Sequence, residues 1–207
     1  FHLRDYDGVE EFLQSAIEIT PHDEALQQEL SSLPDRIRER ELGERLDAGR
    51  EALANRGPRQ ALAAFQEALE FDDANEEAHL GIKNCEETII RVAESKAAIE
   101  TIPEESLREI CDAWEKILAL DAKDDDALQY YGVLSERLTS VEDHVDRATS
   151  LRRNKKWEDS MIERQSALEL WATCPEATVG LTVTEKLQEA DSLLAEKRLP
   201  QVLELAL

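Results

Sequence analysis

The sequence has 207 residues, 24 basic against 47 acidic for a formal net charge of −23, and it is 42% apolar with only 5% aromatics. A surface this negative repels nucleic acid and anionic membrane, and no apolar run approaches the roughly 18 residues that cross a bilayer. Cys85, Cys111 and Cys174 are odd in number and lack C-x-x-C spacing, so neither a disulfide framework nor a thiolate metal site is expected, and a reducing, cytoplasmic setting is. No charged-then-apolar leader precedes a small-residue cleavage site. Leu, Ala, Glu and Arg dominate and glycines number seven, a balance that suits helices packed through aliphatic side chains, so the expected class is all-α. The acidity serves solubility in the plain account, since salt screens exposed charges beyond about 8 Å; in the functional account it favours basic partners.

Along the chain, one phrase recurs. It reads AIEITPHDEAL from Ala16, ALEFDDANEEAHL from Ala68, ILALDAKDDDAL from Ile117 and ALELWATCPEAT from Ala167, at steps of 52, 49 and 50 residues. Self-similarity at a fixed period signals helical repeats that bury their apolar faces against one another. Each recurrence holds the end of one helix, a polar break and the start of the next.

The first helix is expected to start at Asp5-Tyr6 and to end before Thr20. Thr20-Pro21-His22-Asp23, with a hydroxyl cap, a proline at the first helical position and an acid at the third, is expected to open the second. Pro34 interrupts the stretch between Asp23 and Arg56 and is the place where that helix could break. Gly57-Pro58 ends it and opens the next, whose Leu62, Phe65, Ala68 and Leu69 fall at helical intervals. Asp73 or Asn75 caps the following segment, Ile102-Pro103-Glu104-Glu105 opens the helix carrying Ile110, Trp114, Ile117 and Leu118, and Asp121 or Asp124 caps the one after. Thr173-Cys174-Pro175-Glu176 repeats the capping pattern near the end, before the apolar run Val202-Leu203-Leu205-Leu207. From Ala78 to Leu107 and from Ala127 to Trp157 few glycines or prolines intervene, which favours extended helices of six or more turns over two helices with a weak joint.

The phrase resembles the tetratricopeptide repeat, a pair of antiparallel helices in which small residues let the helices approach and large ones fill the space between repeats. Ala48-Gly49, Ala61, Phe65, Ala68 and Asp72-Asp73 match it best. Asp5-Tyr6, Leu13, Ala16 and Pro21 match its second half; Trp114, flanked by Ile110 and Ile117, holds the aromatic position of the third unit. In the last full unit Trp157, Ser160 and Ala167 match, and Arg164 stands at that aromatic position. The family period is near 34 residues and this one near 50, with the excess placed in the first helix of each pair. The resemblance implies a TPR-like α-solenoid of antiparallel hairpins with extended first helices. One repeat region over 1–207 is expected, with a partial repeat at 1–33, repeats at about 35–74, 75–123 and 124–174, and a partial repeat at 175–207. Both ends fall inside the pattern, so a fragment of a longer array or multidomain protein is expected.

Chemistry-bearing motifs are sparse. Asp121-Ala122-Lys123-Asp124-Asp125-Asp126 lacks the glycine and the bidentate Glu of a calcium loop, Gly132 standing where the Glu belongs, so capping explains it. His2, His22, His79 and His144 are scattered without metal-ligand or nucleophile spacing, and His79 is expected in the core. Gly81-Ile82-Lys83 lacks the spacing of a phosphate loop. No catalytic residue, metal site or cofactor is expected. Trp114 and Trp157 coincide with packing positions, whereas Trp171 replaces the turn's usual Asp and is expected to be exposed as a binding residue. Of the adjacent Tyr130 and Tyr131, one packs and the other faces the groove. Arg147, Arg152, Arg153, Lys155 and Lys156 form the one basic departure from the acidic field. They are expected either to complement a helix C-terminus or to dock an acidic or phosphorylated segment. The terminal-carboxylate clamp of chaperone-binding family members is not reproduced at Leu46 and Arg50.

The expected function is a noncatalytic scaffold that binds a protein or peptide partner in the groove of a solenoid. The alternative is the regulatory arm of a larger signalling enzyme whose catalytic domain lies outside this segment and could itself be the partner. A third is an array that self-associates through open ends. Nucleic acid and membrane insertion are not expected.

Overall fold

The computed structural model describes residues 6–196. These form α1 (Tyr6–Ile19), α2 (Glu24–Ala54), α3 (Pro58–Phe71), α4 (Glu76–Ile99), α5 (Leu107–Leu120), α6 (Asp125–Arg153), α7 (Trp157–Leu170) and α8 (Pro175–Ala195), with no strand among the described residues. The all-α expectation holds, and no described helix is long and apolar enough to cross a membrane. The expected start at Asp5 and the run Val202-Leu203-Leu205-Leu207 lie outside the described residues.

Short and long helices alternate. The odd-numbered helices all have 14 residues, about 21 Å of axis, while α2, α4, α6 and α8 have 31, 24, 29 and 21. Each recurrence of the sequence phrase spans a junction from a short helix to a long one, and the extra length lies in the long partner.

Caps decide where the breaks fall. Asp23, not Thr20, caps α2, accepting from the N–H groups of Ala25 and Leu26 at 3.0 and 3.2 Å. The Thr20 hydroxyl instead donates back to Ala16 O, and Pro21 and His22 lie in the turn. Asn75 caps the start of α4 through Ala78 N–H at 3.0 Å, and Asp124 caps α6 through Ala127 N–H at 2.9 Å. Ahead of α8 the cap residue is Cys174, which makes no side-chain cap bond, and Pro175 is the first helical residue. Pro103 lies four residues ahead of α5, in a turn that Ser106 N–H closes onto the Pro103 carbonyl. At the α2–α3 corner the left-handed residue is Arg56 (φ 53°) and Gly57 is the helix cap.

Pro34 does not break α2. Its ring removes one helical hydrogen bond, but Pro34 itself is exposed while Leu33 beside it is buried. The Ser31 and Ser32 hydroxyls donate to Gln28 O and Glu29 O in the preceding turn. Burial of Leu33 thus helps carry the helix through a residue that local propensity marks as a stop.

The chain divides into two compact units, Phe1–Ala93 with Leu120–Lys123, and Glu94–Ala119 with Asp124–Leu207. In the first, α2 and α3 pack antiparallel: Arg38 Nε donates to Phe71 O, Arg45 pairs with Glu67 at 3.0 Å, and Gly49 meets Phe65. Phe65 is the centre of this unit, buried with Leu46, Ala61, Ala68, Ala78 and Cys85. Gly49 of α2 and Gly81 of α4 both press on its ring; a Cβ added to either would lie 2.6 Å from a ring carbon. Full burial of one such side chain contributes about 2–3 kcal/mol. Arg50 forks onto both oxygens of Glu77 at 2.6 and 2.8 Å, which holds that carboxyl below its usual range. Residues 120–123 close the α2–α3 corner, with Ala122 N–H donating to Arg56 O at 2.8 Å. On α1, Val9, Phe12 and Ile19 remain exposed.

In the second unit α6 and α7 pack antiparallel, with Arg137 Nε donating to Leu170 O, His144 meeting Glu163, and Ser160 Oγ donating to Ala148 O. Trp114 is buried and stacks on Tyr130 with ring centroids 5.0 Å apart, although Tyr130 stays 50% exposed and Tyr131 beside it is the more buried of the pair. Val141, Ala167, Cys174 and Ala177 form the core between α6, α7 and α8. Lys96 at the end of α4 reaches Asp124 and Asp126 at 2.7 Å each, fastening the buried cap of α6.

His79 is not in the core. It is exposed, with Nε2 2.8 Å from Asp73 O, because the position beside it that faces inward is Ala78. Arg164 is the other departure: at the place of Phe65 and Trp114 it is a cation, 3% exposed, against Gly180 of α8.

Candidate functional site

Two regions of the second unit carry the side chains with binding chemistry. The first is the α6–α7 corner. Arg152 and Arg153 close the last turn of α6, the position where cations offset the helix dipole. Asn154 follows as the C-cap, then Lys155 in the left-handed region (φ 57°), and Lys156 stands at the head of α7 without a side-chain cap bond.

The five cations do not form one free patch. Arg147 Nε lies 3.3 Å from Glu163 Oε2, which also meets His144 Nδ1 at 2.6 Å. Lys155 Nζ pairs with Asp191 of α8 at 2.9 Å, and this bond with the Trp157 indole N–H holds the Asp191 carboxyl below its usual range. Arg152 is half-buried and its charge pushes the Arg164 guanidinium down from its ordinary value, on top of the larger effect of burial. Arg152, Arg153 and Lys156 make no ion pair among the described residues. The hollow at the head of α7 mixes signs, with Lys155 and Lys156 facing Glu158 and Asp159.

Arg164 has an unusual environment. Its Nη1 donates to Glu176 O at 2.7 Å and its Nη2 to Thr149 Oγ1 at 3.0 Å, and its buried Nε has no partner. No carboxylate neutralises it among the described residues. Gly180 leaves the space it occupies: an added Cβ would fall within the guanidinium.

The second region lies at the opposite end of α7, about 20 Å from Lys156 by helix rise. Trp171 is the C-cap of α7 and is half-buried rather than fully exposed. Its indole N–H donates to Glu105 O at 2.6 Å, and the Thr173 hydroxyl donates to the same carbonyl at 2.9 Å. The loop ahead of α5 is thereby tied to the α7–α8 turn. Two hollows open beside Trp171 and share Arg108, Trp171 and Glu176. The sequence singled out Trp171 from its departure at the turn; the partners Glu105 and Arg108 lie more than sixty residues away and carried no local signal.

The three thiols are buried, and burial pushes each above its ordinary value, which disfavours the nucleophilic thiolate. No cluster of three or more His, Cys, Asp or Glu side chains suited to a metal ion occurs among the described residues.

Compared with family models, with curated proteins and with solved structures, the chain finds no match in any of the three.

Proposed function

We propose that this chain is a noncatalytic scaffold, a TPR-like solenoid with extended first helices that binds a protein or peptide partner along the faces of its long helices. The observation that carries this reading is the apolar stripe that packing leaves unused. On α8, Val179, Val183 and Leu187 follow at intervals of four residues, hence on one face, and all are exposed, Val179 by 63%. On α6, Val133 occupies the place of Val183 one recurrence earlier and is also 63% exposed. The two helices touch. An exposed apolar face on one helix marks an interaction site, and its repetition at the same position of α6 and α8 supports a partner that touches both helices.

Affinity capture with the chain as bait tests the proposal. The triple variant Val133→Asp, Val179→Asp, Val183→Asp should lose its specifically retained partner by about tenfold or more, with an unchanged helical circular-dichroism spectrum. Equal recovery of the partner by parent and variant would remove these long-helix faces from the proposal.

A further inference from the structure

The hollows beside Trp171 join an apolar floor to carboxylates most of which have no counter-ion among the described residues. The smaller one encloses about 540 Å³ including its open mouth, with Val141 and Val145 of α6, Cys174 and the Trp171 side chain on its apolar side. The larger, about 800 Å³ on the same basis, continues past Glu105 and Glu109. Five acidic residues line the pair: Glu105, Glu109, Glu142, Asp146 and Glu176. Arg108 pairs with Glu142 at 3.0 Å; the other four carboxylates make no ion pair among the described residues. Arg108, the one cation in either lining, is held by Glu142, so an anion entering here meets mostly like charge, and a bare hydrated cation leaves the apolar floor unused. What satisfies both is a positive group at the end of an apolar stem, the chemistry of a lysine or arginine side chain lying along an indole. The two bonds onto Glu105 O hold Trp171 in place before any ligand arrives, which lowers the ordering cost of binding. The chain's net charge of −23 steers a basic partner toward it.

We infer that the paired hollows flanking Trp171 seat the Lys or Arg side chains of a basic segment of a partner protein. This rests on the scaffold reading and gives the partner its chemistry. The site is distinct from the valine stripe, so the two fail separately.

The test measures fluorescence anisotropy of a fluorescein-labelled octapeptide of alternating Arg and Leu against the whole chain, with the Glu-Leu peptide of the same pattern in parallel. The basic peptide should bind, and Trp171→Ala and the isosteric pair Glu109→Gln, Glu176→Gln should each weaken it by about tenfold. Trp171→Phe, which keeps an aromatic face, should retain most of the affinity. The remote pair Glu158→Gln, Glu189→Gln, exposed in the same unit and about 20 Å along α7 and α8 from Trp171 and Glu176 by helix rise, should stay within about twofold of the parent, as exposed charges beyond a Debye length are screened. Equal losses for the remote and local pairs would reduce the effect to general acidity and overturn the inference, as would tighter binding of the Glu-Leu peptide. Loss of the basic peptide on Val133→Asp, Val179→Asp but not on Trp171→Ala would also overturn it, while leaving the scaffold reading standing. If neither peptide binds, the basic-segment inference fails, and partner capture by the parent chain alone judges the scaffold.

Discussion

At the residue scale, one recurring position is filled in three ways. Phe65 lies between Gly49 and Gly81, Trp114 stacks on Tyr130, and Arg164 presses on Gly180. The first two bury apolar rings; the third buries a charge with two hydrogen bonds and no counter-ion. Removing an unneutralised cation from water costs several kcal/mol, and the nearby Arg152 adds repulsion. Arg164→Met, similar in length and apolar, should therefore raise stability by about 1–3 kcal/mol in a urea melt. Its former acceptors are not stranded, since the Thr149 hydroxyl also donates to Val145 O and the Glu176 carbonyl lies in the first turn of α8, where the helix supplies a donor. A loss of stability in Arg164→Met would show that the bonds to Glu176 and Thr149 outweigh the desolvation.

At the element scale, glycines in helices divide by what faces them. Gly43 and Gly132 have nothing within 4 Å of a built Cβ, whereas Gly49 and Gly81 face the Phe65 ring at 2.6 Å. Alanine at the open positions should stabilise by about 0.5–1 kcal/mol through helix propensity. At Gly49 or Gly81 the same change drives a methyl into a ring fixed on both sides and should cost about 1–3 kcal/mol. Thermal melts of Gly132→Ala and Gly81→Ala check both signs; a stabilised Gly81→Ala would mean that Phe65 has room to move.

At the scale of the whole molecule, charge acts on every element. An excess of 23 negative charges repels itself more in the folded chain than in the expanded one. Raising salt from about 20 to 500 mM, where the Debye length shortens from tens to a few ångströms, should raise Tm. Scanning calorimetry over that range checks it, and a Tm that falls with salt would mean that ion pairs such as Lys96 with Asp124 and Asp126 dominate the electrostatics.

The fold class, the positions of the polar breaks and the packing roles of Phe65, Trp114 and Ala68 were legible in the sequence because they depend on periodicity and capping, which act within a few residues. Trp171 was legible as an anomaly at a turn. The cap residues at Asp23 and Cys174, the passage of α2 through Pro34, the burial of Arg164 and the exposure of His79 were not. A deeper recurrence at 99 residues joins Arg38 with Arg137, Arg56 with Lys155 and Gly81 with Gly180, each pair holding the same structural role. These depend on which distant surface meets each residue. The acidic hollows show the same division: charge sign follows from composition, but only tertiary packing brought Glu105 to Trp171 and set carboxylates from three helices and one turn around one apolar floor.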